Sequence, residues 1–439
     1  MSPTSDHTHF ESLYPEETRE KEVSELISYI KKGASAQVLA LPGVGKSNFL
    51  RLLSYSNSVR LKHLGPDYKW FHFVYMDLSE VQERSLLDIL KFIMISLSYS
   101  LSERKMEKET ETVNAFLKEA LSFQDELILS QALKKTIDYL CIEKELTVVF
   151  LFDRFDTYVP HVISQFFLDL KILRNRAKYR FSCVFALNRP LEDILEPSLL
   201  SEFYEFIAGN TIFLSLSDPF ANDFRISYLE KVSGKTVSEK EKAEILKITG
   251  GHGKLLRTSF ESILSEETFP KDLSSFLLSK STIKASLFEI WDALLPQEQL
   301  DLFKKSSSEE YLEKIGLTQK GKIQITLFEE KLSDFPKPSA EKIAYDSSTN
   351  EISQGKDKLT NKLSSSEFKL LRFLIQNKGR VCEKDEIISS VLTDSQTREG
   401  VTDQALDQII YRVRKKIEED PNNPTHITTI KGRGYQFSE

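Results

Sequence analysis

The sequence predicts an α/β protein: a parallel-sheet core, then a helical segment and two smaller α+β pieces. Three observations predict it. Short, continuous apolar runs at residues 36–40, 147–152 and 181–187 alternate with helical stretches, as expected of parallel strands buried on both faces. A turn carrying Gly43, Gly45, Lys46 and Ser47 joins the first of these runs to a helix. The last hundred residues read as short strands, three helices and a closing hairpin. At about 150 residues per domain, a chain of 439 residues has room for several such pieces.

Taken in order, residues 1–15 form a polar tail without the apolar stretch of a secretory signal. A helix is expected over 21–32, a strand over 36–40, and then a helix with apolar Phe49, Leu50, Leu52 and Leu53. Further strands are expected at 70–78, 147–152, 181–187 and 211–216. Residues 220–280 read as helical, and 284–334 as helices with one strand at 322–327. The Pro-rich stretch around Phe335, Pro336 and Pro338 reads as a linker, followed by strand-like pieces at 342–345 and 351–353. The division expected is a tail (1–15), a core (16–217), a helical lid (218–282), a small regulatory domain (283–335) and a terminal domain (336–439).

Composition narrows the function. With 40% hydrophobic and 28% charged residues, the chain can build packed cores and is not disordered in bulk. Lys plus Arg number 59 against 66 Asp plus Glu, a net charge of −7, which excludes a general basic coat for nucleic acid. Residues 359–439 carry 13 Lys/Arg against 12 Asp/Glu, so any local basic element belongs there. Cys141, Cys183 and Cys382 lie too far apart for a zinc or disulfide framework, and a reducing cytoplasm is the expected location. The longest apolar-leaning run, 89–101, contains Lys91 and several serines and is too short for a bilayer. No membrane partner is expected.

Residues 40–47, Ala-Leu-Pro-Gly-Val-Gly-Lys-Ser, match a phosphate-binding loop with Ala40 in the first glycine position. Gly43 and Gly45 let the backbone of Pro42–Asn48 curl so that the N–H groups after Pro42 point inward at the start of a helix. Lys46 is expected on the β- and γ-phosphates and the Ser47 hydroxyl on Mg²⁺; Val44 and Asn48 complete the set. The run at 147–152 ends in Asp153, the place where a nucleoside triphosphatase holds its magnesium shell. ATP or ADP with Mg²⁺ are the expected ligands.

These motifs resemble the AAA+-related STAND signalling ATPases and the archaeal and eukaryotic origin-recognition ATPases, over residues 16–335. In the common AAA+ pattern a glutamate follows the magnesium aspartate; here Arg154 stands there. The STAND-like spacing offers Asp156 instead as the acid that positions water, which implies slow turnover. Asn188 and Arg189 fall at the family's sensor position. Arg174 and Arg176 are either fingers toward a neighbouring protomer or a solvated helix face. The stretch 249–257 looks like the lid motif, with His252, Lys254 and Arg257 as alternative phosphate contacts. Residues 284–334 resemble the winged helix that follows the lid in STAND proteins. With 7 Lys/Arg against 10 Asp/Glu, that module is expected to regulate or pack rather than read DNA.

The stretch from Leu359 to Phe437 resembles the OmpR/PhoB-type winged helix of response regulators. Independently of that likeness, Leu406, Ile409, Ile410, Val413 and Ile417 form one apolar stripe. Arg412, Arg414, Lys415 and Lys416 project from other sides, as a helix in a major groove requires. Thr402, Gln404, Gln408 and Tyr411 are the candidates for base contacts. Lys431 and Arg433 sit on a Gly-containing hairpin tip suited to a minor groove. In that family a receiver precedes this module; here the phosphate-loop segment holds that place, so nucleotide state replaces phosphorylation as the expected input.

The function expected is an ATP-binding, nucleotide-switched regulator of double-stranded DNA with slow hydrolysis and nucleotide-dependent self-assembly, which raises avidity. The alternatives are an initiator, remodelling or defence ATPase recruited to DNA, and a scaffold with structural nucleotide.

Overall fold

The computed structural model describes residues 9–123, 125–195, 197–304, 310–335, 343–347, 349–355, 357–391 and 403–438. Helix α1 (Glu20–Lys31) leads into β1 (Ala36–Leu39), followed by α2 (Lys46–Tyr55) and α3 (Asn57–Leu64). Strand β2 (Phe71–Asp77) precedes three helices, α4 (Leu86–Glu103), α5 (Glu107–Leu121) and α6 (Glu126–Ile137). Then come β3 (Thr147–Asp153), α7 (Ser164–Ala177), β4 (Phe181–Leu187), α8 (Leu191–Ile194), α9 (Pro197–Tyr204) and β5 (Thr211–Phe213). The five strands are parallel in the order β2-β3-β4-β1-β5. β4 therefore lies between the phosphate-loop strand and the Asp153 strand, and the loops after β1, β3 and β4 meet at the carboxyl edge, where such sheets bind ligands.

The expected strands fall close to the observed ones, apart from 211–216. That strand pairs through Phe213, and the Leu214 N–H still bonds the Leu39 carbonyl (2.9 Å); the chain then meets the N-terminal segment, where Arg19 donates to the Ser215 carbonyl (2.6 Å) and Asp218 accepts from the Arg19 N–H (2.6 Å).

The segment expected as a helical lid holds α10 (Pro219–Ser233), α11 (Glu239–Thr249), α12 (Gly253–Leu264) and α13 (Leu273–Ser279). The next module holds α14 (Ser281–Asp292), α15 (Pro296–Lys304), α16 (Glu310–Lys314), a hairpin of β6 (Thr318–Gln319) and β7 (Lys322–Ile323), and α17 (Thr326–Lys331). The strand expected over 322–327 is only two residues long. From Thr326 the chain is helical, which buries Leu327 and Phe328.

The terminal module opens with an antiparallel sheet of β8 (Ile343–Asp346), β9 (Glu351–Gln354) and β10 (Asp357–Lys358). It continues with α18 (Ser365–Gln376), β11 (Val381–Cys382), α19 (Lys384–Val391), α20 (Asp403–Ile417) and the hairpin β12 (Ile427–Ile430)–β13 (Gly434–Phe437).

One hydrophobic core covers a face of the main sheet and runs unbroken through the lid to Phe335. A second covers the other face beneath α4–α7. A third closes within 343–437 alone. Among the described residues no helix is long and apolar enough to cross a membrane.

Candidate nucleotide site and DNA reader

The loop after β1 curls through Gly43 (φ +81°) and Gly45 (φ +118°). Gly43 has a second reason to lack a side chain: a Cβ there would come within 2.7 Å of His252 Cε1 and 2.8 Å of Lys254 Cβ. Helix α2 starts with Gly45 at its N-cap and no side-chain cap, leaving first-turn N–H groups for an anion. The Lys46 ammonium donates to the Ala40 carbonyl (2.9 Å) and to Asn188 Oδ1 (2.7 Å). Enclosure of that ammonium pushes its pKa down to about 8, against the pull of Asp156 and Asp153. Ser47 and Asn48 stand half-buried on the same turn.

Asp153, at the end of β3, is 1% exposed. Its carboxylate accepts from the Tyr75 hydroxyl (2.6 Å) and from the Arg154 N–H (2.9 Å). Arg154 adopts a left-handed conformation (φ 52°) and turns its side chain toward Asp77 (3.5 Å). The position that carries glutamate in the AAA+ pattern thus faces away from the loop. Asp156 accepts the Asn188 N–H through both oxygens (3.0 and 3.2 Å), and burial pushes its pKa up. The four groups Lys46, Asp153, Asp156 and Asn188 meet at the carboxyl edge.

Several expected residues do not meet them. Arg189 is buried against Glu298 (2.7 Å from Nη1) and lies under the Tyr311 ring. Its charge anchors the 283–335 module rather than a phosphate. His252 is buried, with Nε2 donating to the Pro42 carbonyl (2.7 Å) and Nδ1 accepting from the Leu255 N–H (3.3 Å). Burial lowers its pKa to about 4, so it caps α12 as a neutral ring. Lys254 donates its backbone N–H to Gly43 O (2.9 Å) but sends its ammonium to Glu289 (2.7 and 2.8 Å). Arg257 is exposed beside Glu261 (3.7 Å). The lid therefore grips the backbone of the loop.

Arg174 donates to the Gly33 carbonyl (2.7 Å), and Arg176 pairs with Asp138 (2.8 Å). Both are engaged within the chain, so neither stands free as a finger.

Sequence reading passed over Arg225 on α10. It donates to Gly253 O and to the Tyr14 hydroxyl (3.0 Å each). It lines a small cavity, about 30 Å³, with Tyr14, Thr18, Gly45 and Asn48. The buried Thr18 hydroxyl there has no hydrogen-bond partner. A cavity of that size holds a water or two, whereas the uncapped helix start and the glycine cradle fit a phosphate group. Mg²⁺ bound with phosphates takes one or two protein oxygens. Ser47 and Asp153 suit that role.

In the terminal module, Ser364 and Glu367 form a capping box at the start of α18. The α20 stripe Leu406, Ile409, Ile410, Val413 and Ile417 is buried as expected. Gln404, Gln408 and Tyr411 lie exposed on the opposite side, and Thr402 lies outside the described residues. The cations differ from expectation. Arg412 is buried against Glu367 (3.7 Å) and the Leu195 carbonyl. Lys416 pairs with Glu367 (2.6 Å). Arg414 donates to Ile427 O (2.9 Å) and Thr429 Oγ1 (2.8 Å), bracing the hairpin. Long side chains on an amphipathic helix found acceptors on neighbouring elements instead of projecting. Lys415 stays over Tyr411 (5.4 Å), and Lys431 and Arg433 are exposed.

The family described as "Transcriptional regulatory protein, C terminal" matches residues 358–437. The sensory transduction protein RegX3 of Mycolicibacterium smegmatis is 40% identical over 75 residues, 17% of this chain and 32% of that protein. Protein PetR of Rhodobacter capsulatus is 33% identical over 98 residues, 22% of this chain and 40% of that protein. The chain thus spans about a third to two-fifths of the length of these relatives. Among solved structures, a Walker-type ATPase of Pyrococcus abyssi aligns at a TM-score of 0.45 and 15% identity, covering 74% of this chain and 97% of that one. The Klebsiella pneumoniae RstA DNA-binding domain, in complex with the RstA box, aligns at a TM-score of 0.19 and 24% identity, covering 22% of this chain and 90% of that one. Residues 358–437 are therefore a C-terminal module of the OmpR/PhoB-type transcriptional regulators, joined in this chain to a P-loop parallel-sheet core.

Proposed function

We propose that this protein is an ATP-binding, nucleotide-switched DNA-binding regulator of transcription, a slow ATP hydrolase of STAND-like type that assembles with itself on DNA in the cytoplasm. The observation that carries this reading is the convergence of Lys46, Asp153, Asp156 and Asn188 at one sheet edge, in a chain that ends in a transcription-regulator module.

In this reading the α2 N-terminus and Lys46 bind the polyphosphate, and Ser47 and Asp153 hold Mg²⁺. The metal, when bound, supplies Lewis-acid charge on the phosphate oxygens. Lys46 leaves Asn188 Oδ1 for phosphate. Asp156, whose carboxyl burial favours the protonated form, is held by the Asn188 N–H. Arg154 supplies no base beside Asp153, so hydrolysis is slow. Exposed Gln404, Gln408 and Tyr411 meet base edges, while Lys415, Lys431 and Arg433 meet phosphates.

Calorimetric titration with MgATP tests the nucleotide half. Wild type is expected to bind, and Lys46→Ala to lose on the order of a hundredfold in affinity through loss of a charge-assisted phosphate contact. Fluorescence anisotropy with a duplex tests the switch: MgATP changes the DNA affinity of wild type and leaves that of Lys46→Ala unaltered. Equal MgATP affinity in both proteins would falsify the assignment of the loop.

A further inference from the structure

The two protein oxygens proposed for Mg²⁺ come from different elements: Ser47 lies in the first turn of α2, and Asp153 ends β3. One ion can reach both only if strand and helix hold a fixed relation. Tyr75 on β2 touches the supports of each. It lies in register with Leu151, so its ring is on the face of the sheet where Leu151 shares a core with Phe49 and Leu52 of α2. From there its hydroxyl donates to Asp153 Oδ2 (2.6 Å), two positions farther along β3. On the helix side, the Arg51 guanidinium sits 4.9 Å from the centre of the Tyr75 ring and is itself steadied by Glu11 (3.5 Å). Arg51 follows Ser47 by four residues on α2, which places both on one face of that helix.

The donors on Asp153 leave room for a metal. An ionised carboxylate offers about four lone-pair positions. Tyr75 takes one on Oδ2 and the Arg154 N–H takes one on Oδ1, so each oxygen keeps another. The Arg154 bond comes from the main chain and would persist with any side chain at 154. Among the described residues, Tyr75 is the one side chain that donates to Asp153. With Asp153 buried, solvent plays little part in orienting that carboxylate, and the phenol sets its plane.

We propose that Tyr75 is the positioning residue of the magnesium site: its hydroxyl fixes the orientation of Asp153, and its ring, held by Arg51, ties that carboxylate to the helix that carries Ser47. The inference rests on the nucleotide half of the proposed function and adds the residue that aligns its two oxygen ligands. Groups that orient metal ligands from behind commonly carry about 10- to 100-fold of metal affinity. A plain packing role has a different signature. A half-buried tyrosine needs some acceptor for its hydroxyl, and losing that bond would then weaken the fold without singling out the metal.

Tyr75→Phe in the full chain keeps the ring and removes the donor. Calorimetric titration with a non-hydrolysable ATP analogue, in excess Mg²⁺ and again in EDTA, separates the metal-dependent part of the affinity from the rest. Wild type is expected to bind more tightly with Mg²⁺. Tyr75→Phe is expected to match wild type in EDTA and to bind on the order of tenfold more weakly in Mg²⁺. Equal affinities of the two proteins in Mg²⁺, or a loss of the same size in EDTA, overturn the role of Tyr75 alone, since wild type still shows a nucleotide site. A wild type that binds the analogue in neither condition overturns the nucleotide reading and Tyr75 with it. A wild type that binds equally with and without Mg²⁺ overturns the magnesium ligands and their positioning residue together. If Tyr75→Phe does not fold, para-fluorophenylalanine incorporated at position 75 makes the same comparison with the size of the hydroxyl nearly kept, and the same results decide.

Discussion

The lid and the terminal module are joined to the centre of this protein by different physics. The lid, with the 283–335 module, shares one continuous core with the sheet, burying Leu255, Leu256, Phe260, Leu287 and Trp291. Each such side chain contributes about 1.5–3 kcal/mol. The terminal module closes its own core and meets the centre through charges such as Lys362–Asp292, whose side chains are 37% and 53% exposed. Pairs of that kind are worth about 0–1 kcal/mol. The apolar joint is shared core; the polar joint is the weaker of the two.

The largest effect expected from breaking this contrast is at Glu298. Its carboxylate, fully buried, neutralises Arg189 where β4 meets α15. Glu298→Ala leaves a buried guanidinium unpaired, a loss of about 3–5 kcal/mol. By differential scanning calorimetry the transition of the sheet, lid and 283–335 unit should fall, while that of the terminal module stays in place. A joint fall of both transitions would erase the distinction between the two joints.

A smaller effect, confined to acid, is expected at His252. Its pKa is about 4 in the fold against 6.5 ordinarily, so the unfolded chain takes up a proton first as pH falls. The stability tied to the neutral ring is complete above pH 6.5 and drains away between 6.5 and 4, by about 3 kcal/mol in all. Urea titrations of wild type and His252→Gln across that range check it: the slope with pH should be shallower in the variant. Identical slopes would show that the ring is not what ties the lid to Pro42.

How far the sequence is legible follows the same divide. Gly43, Gly45, Lys46 and Asp153 could be read because the backbone geometry they serve is local: a strand end, a curl and a helix start. The α20 stripe could be read because its periodicity is local too. The destinations of long cations could not. Arg189 finds Glu298, Lys254 finds Glu289, and Arg412 finds Leu195 across 217 positions. A charge on a helix face is compatible with many acceptors, and only the tertiary arrangement chooses one. Arg225, partnered with Tyr14, carries no sequence signal for the same reason. Glu367 did carry one, as the fourth residue of a Ser-x-x-Glu capping box; its second task, holding Arg412 and Lys416, was not written there.

The smallest predicted effect concerns cations that are free rather than tied. Lys431 and Arg433 are exposed at the β12–β13 tip, whose base lies so close to β11 that a Cβ on Gly434 (φ +137°) would fall 2.0 Å from Cys382 O. Both side chains are exposed, so Lys431→Ala with Arg433→Ala should shift stability by no more than about 0.5 kcal/mol. If both meet phosphates, the slope of log affinity against log salt should flatten by about 2, at close to 0.9 per contact. Arg414→Ala makes the counterpart, since its guanidinium already braces Ile427 and Thr429: there stability should fall. Anisotropy over a salt series, beside urea melts of both variants, separates the two kinds of cation. An unchanged slope in the tip variant would leave the hairpin as a structural edge of the module and move the phosphate contacts to Lys415 and the exposed side of α20.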